Sequence, residues 1–349
     1  MLNSARKIKV LVVDDSAIVR KILSDAIAAE SDLELVGTAP DPFIARDKIL
    51  ALQPDVLTLD IEMPRMDGLT FLKKLMQYHP MPVIVISSLG HASCQAAVEA
   101  LRYGAVEVLA KPQGPYSVGE LRASLIAKLR AAARSRPLVH KIASPIVPPA
   151  VEPLNRCHPS TVIAIGASTG GTQAIREVLA GLPPNPPGIV VTQHIPPVFS
   201  TEFAKHLNEI FPFEVKEASQ GDEVFPGRVL IAPGNFHMLL RREGYRYWVQ
   251  VQDGPQVCYQ RPSVDVLFSS VADSAAKHAI GVLLTGMGAD GGQGLLRIKR
   301  AGGNTIAQDE QSSVVYGMPR EAARLGAADQ ILPLHSIAKS MLDLAARMA

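Results

Sequence analysis

The chain has 349 residues, of which 47% are hydrophobic and 19% are charged. A domain usually holds about 100–200 residues, so this length predicts two domains, and the composition excludes an intrinsically disordered chain. The formal net charge of +2 provides no broad basic surface. We therefore expect neither nucleic acid nor an anionic membrane as a partner.

The cysteines and the apolar runs bear on the cellular compartment. Cys94, Cys157 and Cys258 are widely spaced and form no CxxC pair, which argues against a disulfide framework or a zinc site. The N-terminus has no signal-peptide pattern, and no apolar run reaches the roughly 18 residues of a membrane span. We expect a cytoplasmic protein without direct membrane insertion.

Short apolar runs alternate with helical patterns from Ile8 to about Arg134, among them KVLVV, LELVGTA, VLTLD, VIVIS and VEVLA. This repeating βα pattern predicts an α/β domain with a parallel sheet of five strands. Residues 135–159 then carry six prolines and little periodicity. They are predicted to form an extended linker.

A second βα series begins with TVIAIGAS and continues through a helix from about Gly171 to Leu182 to the strand GIVVTQH. Between Glu214 and Gln252 the strands become shorter, and turn residues separate them, which predicts an insertion with a β-hairpin. Helices and parallel strands return after it. We predict a doubly wound, mostly parallel α/β domain over residues 160–347.

Charged and polar side chains end four strands of the first domain. Asp14 and Asp15 end the first strand, Asp60 the third, Ser87 the fourth and Lys111 the fifth. The carboxyl ends of parallel strands share one edge, where crowded carboxylates favour a divalent ion such as Mg²⁺ and one aspartate can attack a phosphoryl group. The alternative, that the first two aspartates only cap a helix, leaves the other strand ends unexplained.

Residues 6–130 resemble a response-regulator receiver domain, which has a flavodoxin-like fold. The resemblance rests on VVDDSAIVR, LDIEMPRMDG, VIVISS and AKP. Val108 stands where many receivers carry an aromatic switch residue, so we do not expect a serine-to-aromatic relay. The roles that the resemblance implies are Asp60 as the phosphorylated residue, Asp14, Asp15, Asp60 and the backbone carbonyl of Glu62 as Mg²⁺ ligands, and Ser87 and Lys111 as residues that sense and contact the phosphoryl group.

The turn from Gly166 to Gly170 in VIAIGASTGG has the G-x-S-x-G pattern of a nucleophile elbow around Ser168. Small neighbours let such a turn tighten, and the amides at the start of the following helix face developing negative charge. The alternative is a glycine-rich phosphate cradle of a nucleotide-binding domain. The sequence lacks the GxGxxG spacing and the P-loop lysine of that class.

Two further residues could complete a triad with Ser168. His194 ends the next strand, GIVVTQH, and could accept the serine proton; His237 in APGNFHM is its rival. Asp290 follows another strand in GVLLTGMGADGG and could orient the imidazole, or it could simply be the N-cap of the next helix. The chain order Ser, His, Asp differs from that of the α/β-hydrolase fold. A convergent triad is therefore expected, with an oxyanion site at the amides near Thr169 and Met287.

Residues 160–347 resemble the methylesterase domain of the chemotaxis protein-glutamate methylesterases (CheB), through AIGASTGG, TQHIPPVFS, APGNFHM, RPSVDVLF, LLTGMGADGG and AQDEQSSVVYGMPREA. The resemblance implies phosphorylation-regulated hydrolysis of glutamyl methyl esters on methyl-accepting chemoreceptors, deamidation of receptor glutamines, no cofactor for the ester chemistry, and a chemotaxis-type histidine kinase as phosphodonor. The main alternative is a receiver joined to a ligand-binding or DNA-binding module. No helix-turn-helix with a basic face is evident after the linker.

Overall fold

The computed structural model describes residues 6–111, 117–134 and 158–348. The chain forms two compact units, Met1–Ser144 and Pro145–Ala349. The predicted linker, residues 135–159, lies outside the described residues except for its last two. Among the described residues, none of the helices combines the length and the apolar character needed to cross a bilayer.

The N-terminal unit is a five-stranded parallel sheet with strand order β2-β1-β3-β4-β5, which is the flavodoxin-like order. The predicted sheet is therefore confirmed. Strands β3 and β4 are buried along their whole length, as expected for strands covered on both faces. The elements are β1 (Ile8–Val13), α1 (Ala17–Ala28), β2 (Leu33–Ala39), α2 (Pro42–Leu52), β3 (Val56–Asp60), α3 (Gly68–Tyr78), β4 (Val83–Ser87), α4 (His91–Arg102), β5 (Glu107–Ala110) and α5 (Ser117–Arg134).

The C-terminal unit contains a seven-stranded parallel sheet of order β15-β14-β13-β6-β7-β10-β8 and a small antiparallel sheet of order β11-β12-β9. Its elements are β6 (Val162–Ala167), α6 (Gly171–Ala180), β7 (Gly188–Gln193), α7 (Phe199–Ile210), β8 (Glu214–Glu217), β9 (Glu223–Val224), β10 (Arg228–Ile231), β11 (His237–Glu243), β12 (Arg246–Gln252), α8 (Val264–Ala275), a 3₁₀ turn (Ala276–His278), β13 (Ala279–Leu283), α9 (Gly292–Arg300), β14 (Asn304–Gln308), α10 (Met318–Arg324), β15 (Gln330–Leu332) and α11 (Leu334–Arg347).

The β-hairpin predicted between Glu214 and Gln252 is confirmed as β11 and β12, but the inserted part is smaller than that segment. Strands β8 and β10 from the same stretch join the main sheet in parallel. Helix α7 connects β7 to β8 and provides the crossover that lets β8 run parallel to the other strands, and β10 then lies between β7 and β8. Only the hairpin and the two-residue strand β9 lie outside the main sheet.

The centre of the large sheet brings together the strands that matter for the site. Strand β6 lies between β7 and β13, and all three are fully buried. Helix α8 packs on β6 at Gly166, where a Cβ atom would lie 2.2 Å from Val264 and 3.1 Å from Phe268. This glycine therefore lets the start of α8 approach the end of β6.

Candidate functional site

Ser168 directly follows β6 and stands at the carboxyl edge of the large sheet. Its amide donates to the carbonyl of Thr285, which follows the neighbouring strand β13 (3.0 Å). Gly170 then has a left-handed φ of 77°, and a Cβ there would lie 2.6 Å from Val314. The turn is therefore tight, and Ser168 is only 7% exposed.

Gln193, the last residue of β7, fixes this turn and was not predicted from the sequence. Its Nε2 donates to the carbonyls of Ser168 (2.9 Å) and His194 (3.2 Å). A Cβ on Gly171 would lie 2.1 Å from its Oε1. One buried amide therefore ties the main chain of the serine to that of the histidine. The available signal was a glutamine at the end of a largely apolar strand, GIVVTQ.

His194 and Asp290 form a buried pair beside this turn. His194 Nε2 lies 2.8 Å from Asp290 Oδ2, and the amide of His194 donates to the carbonyl of Ala167 (3.2 Å). Nδ1 of the ring is buried and, within the described part of the chain, has no hydrogen-bond partner. Nδ1 is thus the nitrogen left to accept a proton. A hydrogen bond from Ser168 Oγ to this ring is absent among the described residues, as is common before substrate binds.

The carboxylate of Asp290 accepts hydrogen bonds at the start of α8. Oδ2 also accepts from the amide of Val264 (2.7 Å), while Oδ1 accepts from Ser263 Oγ (2.8 Å) and from the amide of Asp265 (3.0 Å). Burial alone would raise the pKa of Asp290, but His194 and the two amides together lower it. The helix N-terminus thus favours the ionised carboxylate that faces the imidazole.

The alternative interpretation of Asp290 placed it as the cap of the helix that follows it. That helix, α9, has Gly291 at its N-cap position and no side-chain hydrogen bond there. Asp290 instead binds the start of α8, 26 residues away in sequence. The hydrogen-bond partners of Asp290 are therefore distant in the sequence, and its side chain does not cap α9.

His237, the rival histidine, has both ring nitrogens engaged elsewhere. Nε2 donates to the carbonyl of Pro255 (2.9 Å), and Nδ1 accepts from the amide of Ser263 (3.2 Å). His237 therefore lies behind Ser263, which in turn donates to Asp290. His237 therefore supports the His194–Asp290 pair from behind and is not placed to accept the proton of Ser168.

The predicted oxyanion residues lie close to Ser168 in the chain or in space. Within the described part of the molecule the amide of Thr169 donates no hydrogen bond, while its carbonyl accepts from Thr285 Oγ1 (3.0 Å). Met287 is exposed and follows Gly286, where a Cβ would lie 2.7 Å from Ser168 Cβ. Thr169 is thus next to the serine in the chain, and the residue before Met287 packs closely against it.

In the N-terminal unit the strand ends converge as predicted. Carboxylate oxygens of Asp14, Asp15 and Asp60 lie within 4.8 Å of one another, and Lys111 Nζ lies 2.7 Å from Asp60 Oδ2. Burial raises the pKa of Asp60 to about 6; the hydrogen bond from Lys111 opposes this rise, and the charge of Asp14 adds to it. The side chain that caps α1 is Ser16, not either aspartate. A cluster of carboxylate oxygens of this kind fits a hard divalent cation.

Ser87 and Glu62 have other partners in this structure. Ser87 Oγ donates to the carbonyl of Ser93 (3.2 Å). The carboxylate of Glu62 accepts from Ser88 Oγ (3.0 Å) and from Ser93 Oγ, while its amide donates to Asp60 Oδ1 (3.1 Å). The side chain of Glu62 thus holds the start of α4 and does not face the aspartates.

Comparison with known proteins agrees with both resemblances. The family described as CheB methylesterase matches residues 163–341, and the response regulator receiver domain family matches residues 10–123. A protein-glutamate methylesterase/protein-glutamine glutaminase of Syntrophus aciditrophicus is 55% identical over 97% of this chain and 99% of its own. One of Pseudomonas aeruginosa is 49% identical over 97% of each chain.

A solved structure gives the same result for the second unit. The crystal structure of the Thermotoga maritima CheB methylesterase catalytic domain is 38% identical, covers 53% of this chain and 98% of its own, and aligns with a TM-score of 0.52. The chain belongs to the CheB methylesterase family, with a response-regulator receiver domain preceding the catalytic domain.

Proposed function

We propose that this protein hydrolyses the methyl esters of glutamate side chains in methyl-accepting chemoreceptors and deamidates receptor glutamines, with its activity controlled by phosphorylation of Asp60. The observation that carries the ester chemistry is the buried His194–Asp290 pair (2.8 Å) on the strand end beside Ser168. The names of the relatives support the substrate class.

Acylation needs one proton acceptor and one site for negative charge. Nδ1 of His194 takes the proton of Ser168 as Oγ attacks the ester carbonyl carbon, because Nε2 is already bound to Asp290. The amides of Thr169 and Met287 stabilise the oxyanion. The imidazolium then protonates the departing methoxide, which leaves as methanol, and the glutamyl group stays on Ser168 as an ester.

Deacylation repeats these steps with water. His194 removes a proton from water, the hydroxide attacks the acyl carbon, and Ser168 leaves with that proton. The products are a free glutamate carboxylate and the regenerated serine. A glutamine substrate forms the same acyl-enzyme with loss of ammonia, and the proposed ester chemistry includes no cofactor.

Asp290 stabilises the imidazolium that forms in both half-reactions. Its lowered pKa keeps it ionised at neutral pH, and its bond to Nε2 fixes the ring so that Nδ1 is left for the serine. Ser263 and the amides at the start of α8 hold the carboxylate in that orientation.

For the receiver, we propose that Asp60 accepts a phosphoryl group from a histidine kinase of the chemotaxis type. Asp14, Asp15, Asp60 and the backbone carbonyl of Glu62 would hold Mg²⁺, which when bound neutralises charge on phosphoryl oxygens. Lys111, already 2.7 Å from Asp60, would contact the phosphoryl group. Ser87 would exchange its bond to Ser93 for one to that group.

The test is methanol release from methylated receptor membranes, measured with and without a phosphodonor and Mg²⁺. We expect release that is stimulated by the phosphodonor, and almost none from Ser168→Ala, since triad residues act as a unit. A small fluorophosphonate probe should label the wild type and not that variant. Retained methanol release by a folded Ser168→Ala protein would overturn the assignment of the nucleophile, and labelling without methanol release would overturn the substrate.

A further inference from the structure

A two-residue turn in the loop between β12 and α8 has an unusual backbone. Val257 and Gln260 exchange main-chain hydrogen bonds (3.1 and 2.9 Å) around Cys258 and Tyr259. Both central residues have positive φ, 52° and 61°. Turns of this kind favour glycine, asparagine or aspartate, so this chain maintains a left-handed conformation with two side chains that disfavour it. Such strain persists where the surroundings fix it, and it clusters at functional sites.

The base of this loop is held firmly. The Arg261 guanidinium donates to Asn235 Oδ1 (2.8 and 3.1 Å) and to the carbonyl of Gly254, and buried His237 donates to the carbonyl of Pro255 (2.9 Å). In contrast, Tyr259 at the tip is 91% exposed. The exposed ring is therefore presented by a well-anchored loop.

The turn adjoins the proposed triad. Cys258 Sγ and carboxylate oxygens of Asp265 and Asp290 lie within 4.8 Å of one another. Asp290 is in turn bound to the imidazole that serves Ser168. Tyr259, which directly follows Cys258 in the chain, is therefore on the Asp290 side of the proposed triad.

Ser168 is only 7% exposed, so a glutamyl ester must reach inward while the main chain that carries it stays at the rim. We propose that Tyr259 is a specificity-determining residue, which packs its ring against the receptor segment that carries the methyl ester. This inference rests on the proposed function. Tyrosine suits such a contact because it buries a large, rigid ring and keeps a polar tip in water.

The experiment compares Tyr259→Ala with Tyr245→Ala in the full chain, with phosphodonor and Mg²⁺ present. Tyr245 is the matched control because it is equally exposed, at 90%, but lies at the far end of the hairpin. Strand β11 runs for six residue steps from His237 to Glu243, or roughly 20 Å at about 3.3 Å per residue, and Tyr245 lies in the turn beyond its end. Tyr259→Gly removes the same ring and suits the left-handed backbone, so it controls for folding.

Two activities are measured for each variant: kcat/KM for methanol release from methylated receptor membranes, and the rate at which a small fluorophosphonate labels Ser168. We expect Tyr259→Ala and Tyr259→Gly to lower kcat/KM on the receptor about tenfold with unchanged labelling, Tyr259→Phe to stay within about threefold of the wild type, and Tyr245→Ala to match it.

Three results would overturn the inference. Receptor activity of Tyr259→Ala equal to that of Tyr245→Ala would mean that the ring makes no useful contact. A parallel fall in labelling would mean that the turn supports the triad and does not recognise the receptor. A wild type that is labelled but releases no methanol from receptors would overturn the proposed function itself, and this inference with it.

Discussion

Gly286 is the residue whose substitution tests the geometry around Ser168 most directly. A Cβ at this position would lie 2.2 Å from Met318 Sδ and 2.7 Å from Ser168 Cβ, and ordinary contact begins at 3.4 Å. The flexible Met318 side chain can turn away, but Ser168 would have to move by about 0.7 Å. Gly286 itself cannot easily move, since its amide donates to Val315 (3.0 Å) and its carbonyl accepts from Met318 (2.8 Å). The displacement therefore falls on the nucleophile.

A misplacement of about 1 Å can cost about 10²-fold in rate, so we expect Gly286→Ala to lower kcat for methanol release about 10- to 100-fold. Overpacking costs about 1–3 kcal/mol, which corresponds to a fall in Tm of roughly 2–12 °C. Labelling of Ser168 by the fluorophosphonate should slow in parallel, because that reaction depends on the serine and not on the receptor.

The control is Gly221→Ala in the same unit. Gly221 has a φ of 85° and no atom within 4 Å of a Cβ, so alanine there strains the backbone, by about 1–2 kcal/mol, without touching Ser168. It should lower Tm and leave kcat unchanged. If Gly286→Ala keeps kcat within about threefold of the wild type while its Tm falls as expected, the reasoning is wrong.

Three further substitutions test the partners of the site. Asp290→Asn should lower kcat about 10⁴-fold, because an amide cannot favour the tautomer that leaves Nδ1 free. The pKa of Asp290 is lowered in the folded protein. Its ionised form therefore stabilises the fold above the ordinary pKa of about 3.9, and this stabilisation is lost as pH falls through the folded value. The Tm of Asp290→Asn should therefore depend less on pH below about 4 than the Tm of the wild type. Asp60→Asn should abolish stimulation by phosphodonor and Mg²⁺, and any remaining stimulation would contradict the role of Asp60. In Asp265→Ala the amide of Gly294 at the start of α9 loses its hydrogen bond to Asp265 Oδ1 (2.6 Å). Because Asp290 directly precedes the turn into α9, we expect kcat to fall about tenfold at constant KM. An unchanged kcat would show that α9 holds Asp290 without this contact.

The sequence predicted the sheets well because buried parallel strands are nearly uniform apolar runs. The runs VLTLD and VIVIS contain almost no alternation, and the structure buries both completely. The sequence also predicted that the side chains following strands would meet at one edge. The sequence could not give the order of the strands. The position of β6 between β7 and β13 is known only from the structure.

Residues that support the triad were harder to predict than the triad itself. In the sequence Gln193 is only a glutamine at the end of a largely apolar strand, which does not reveal that its amide bonds two main-chain carbonyls. Ser263 was part of a recognised motif, and its capping role follows from its place before α8, but its bond to Asp290 joins residues 27 apart. Contacts over such separations depend on how helices dock, which local patterns do not encode.

Asp290 shows why stability and chemistry are coupled at this site. Its carboxylate accepts from the start of α8 and from His194 at once, so the helix that packs on β6 through Gly166 also sets the angle of the imidazole. Because both oxygens are occupied by donors, the carboxylate cannot rotate without leaving buried amides unpaired, which costs about 1–3 kcal/mol each. The same bonds that begin α8 therefore hold the ring by Nε2 and leave Nδ1 without a bond to Asp290.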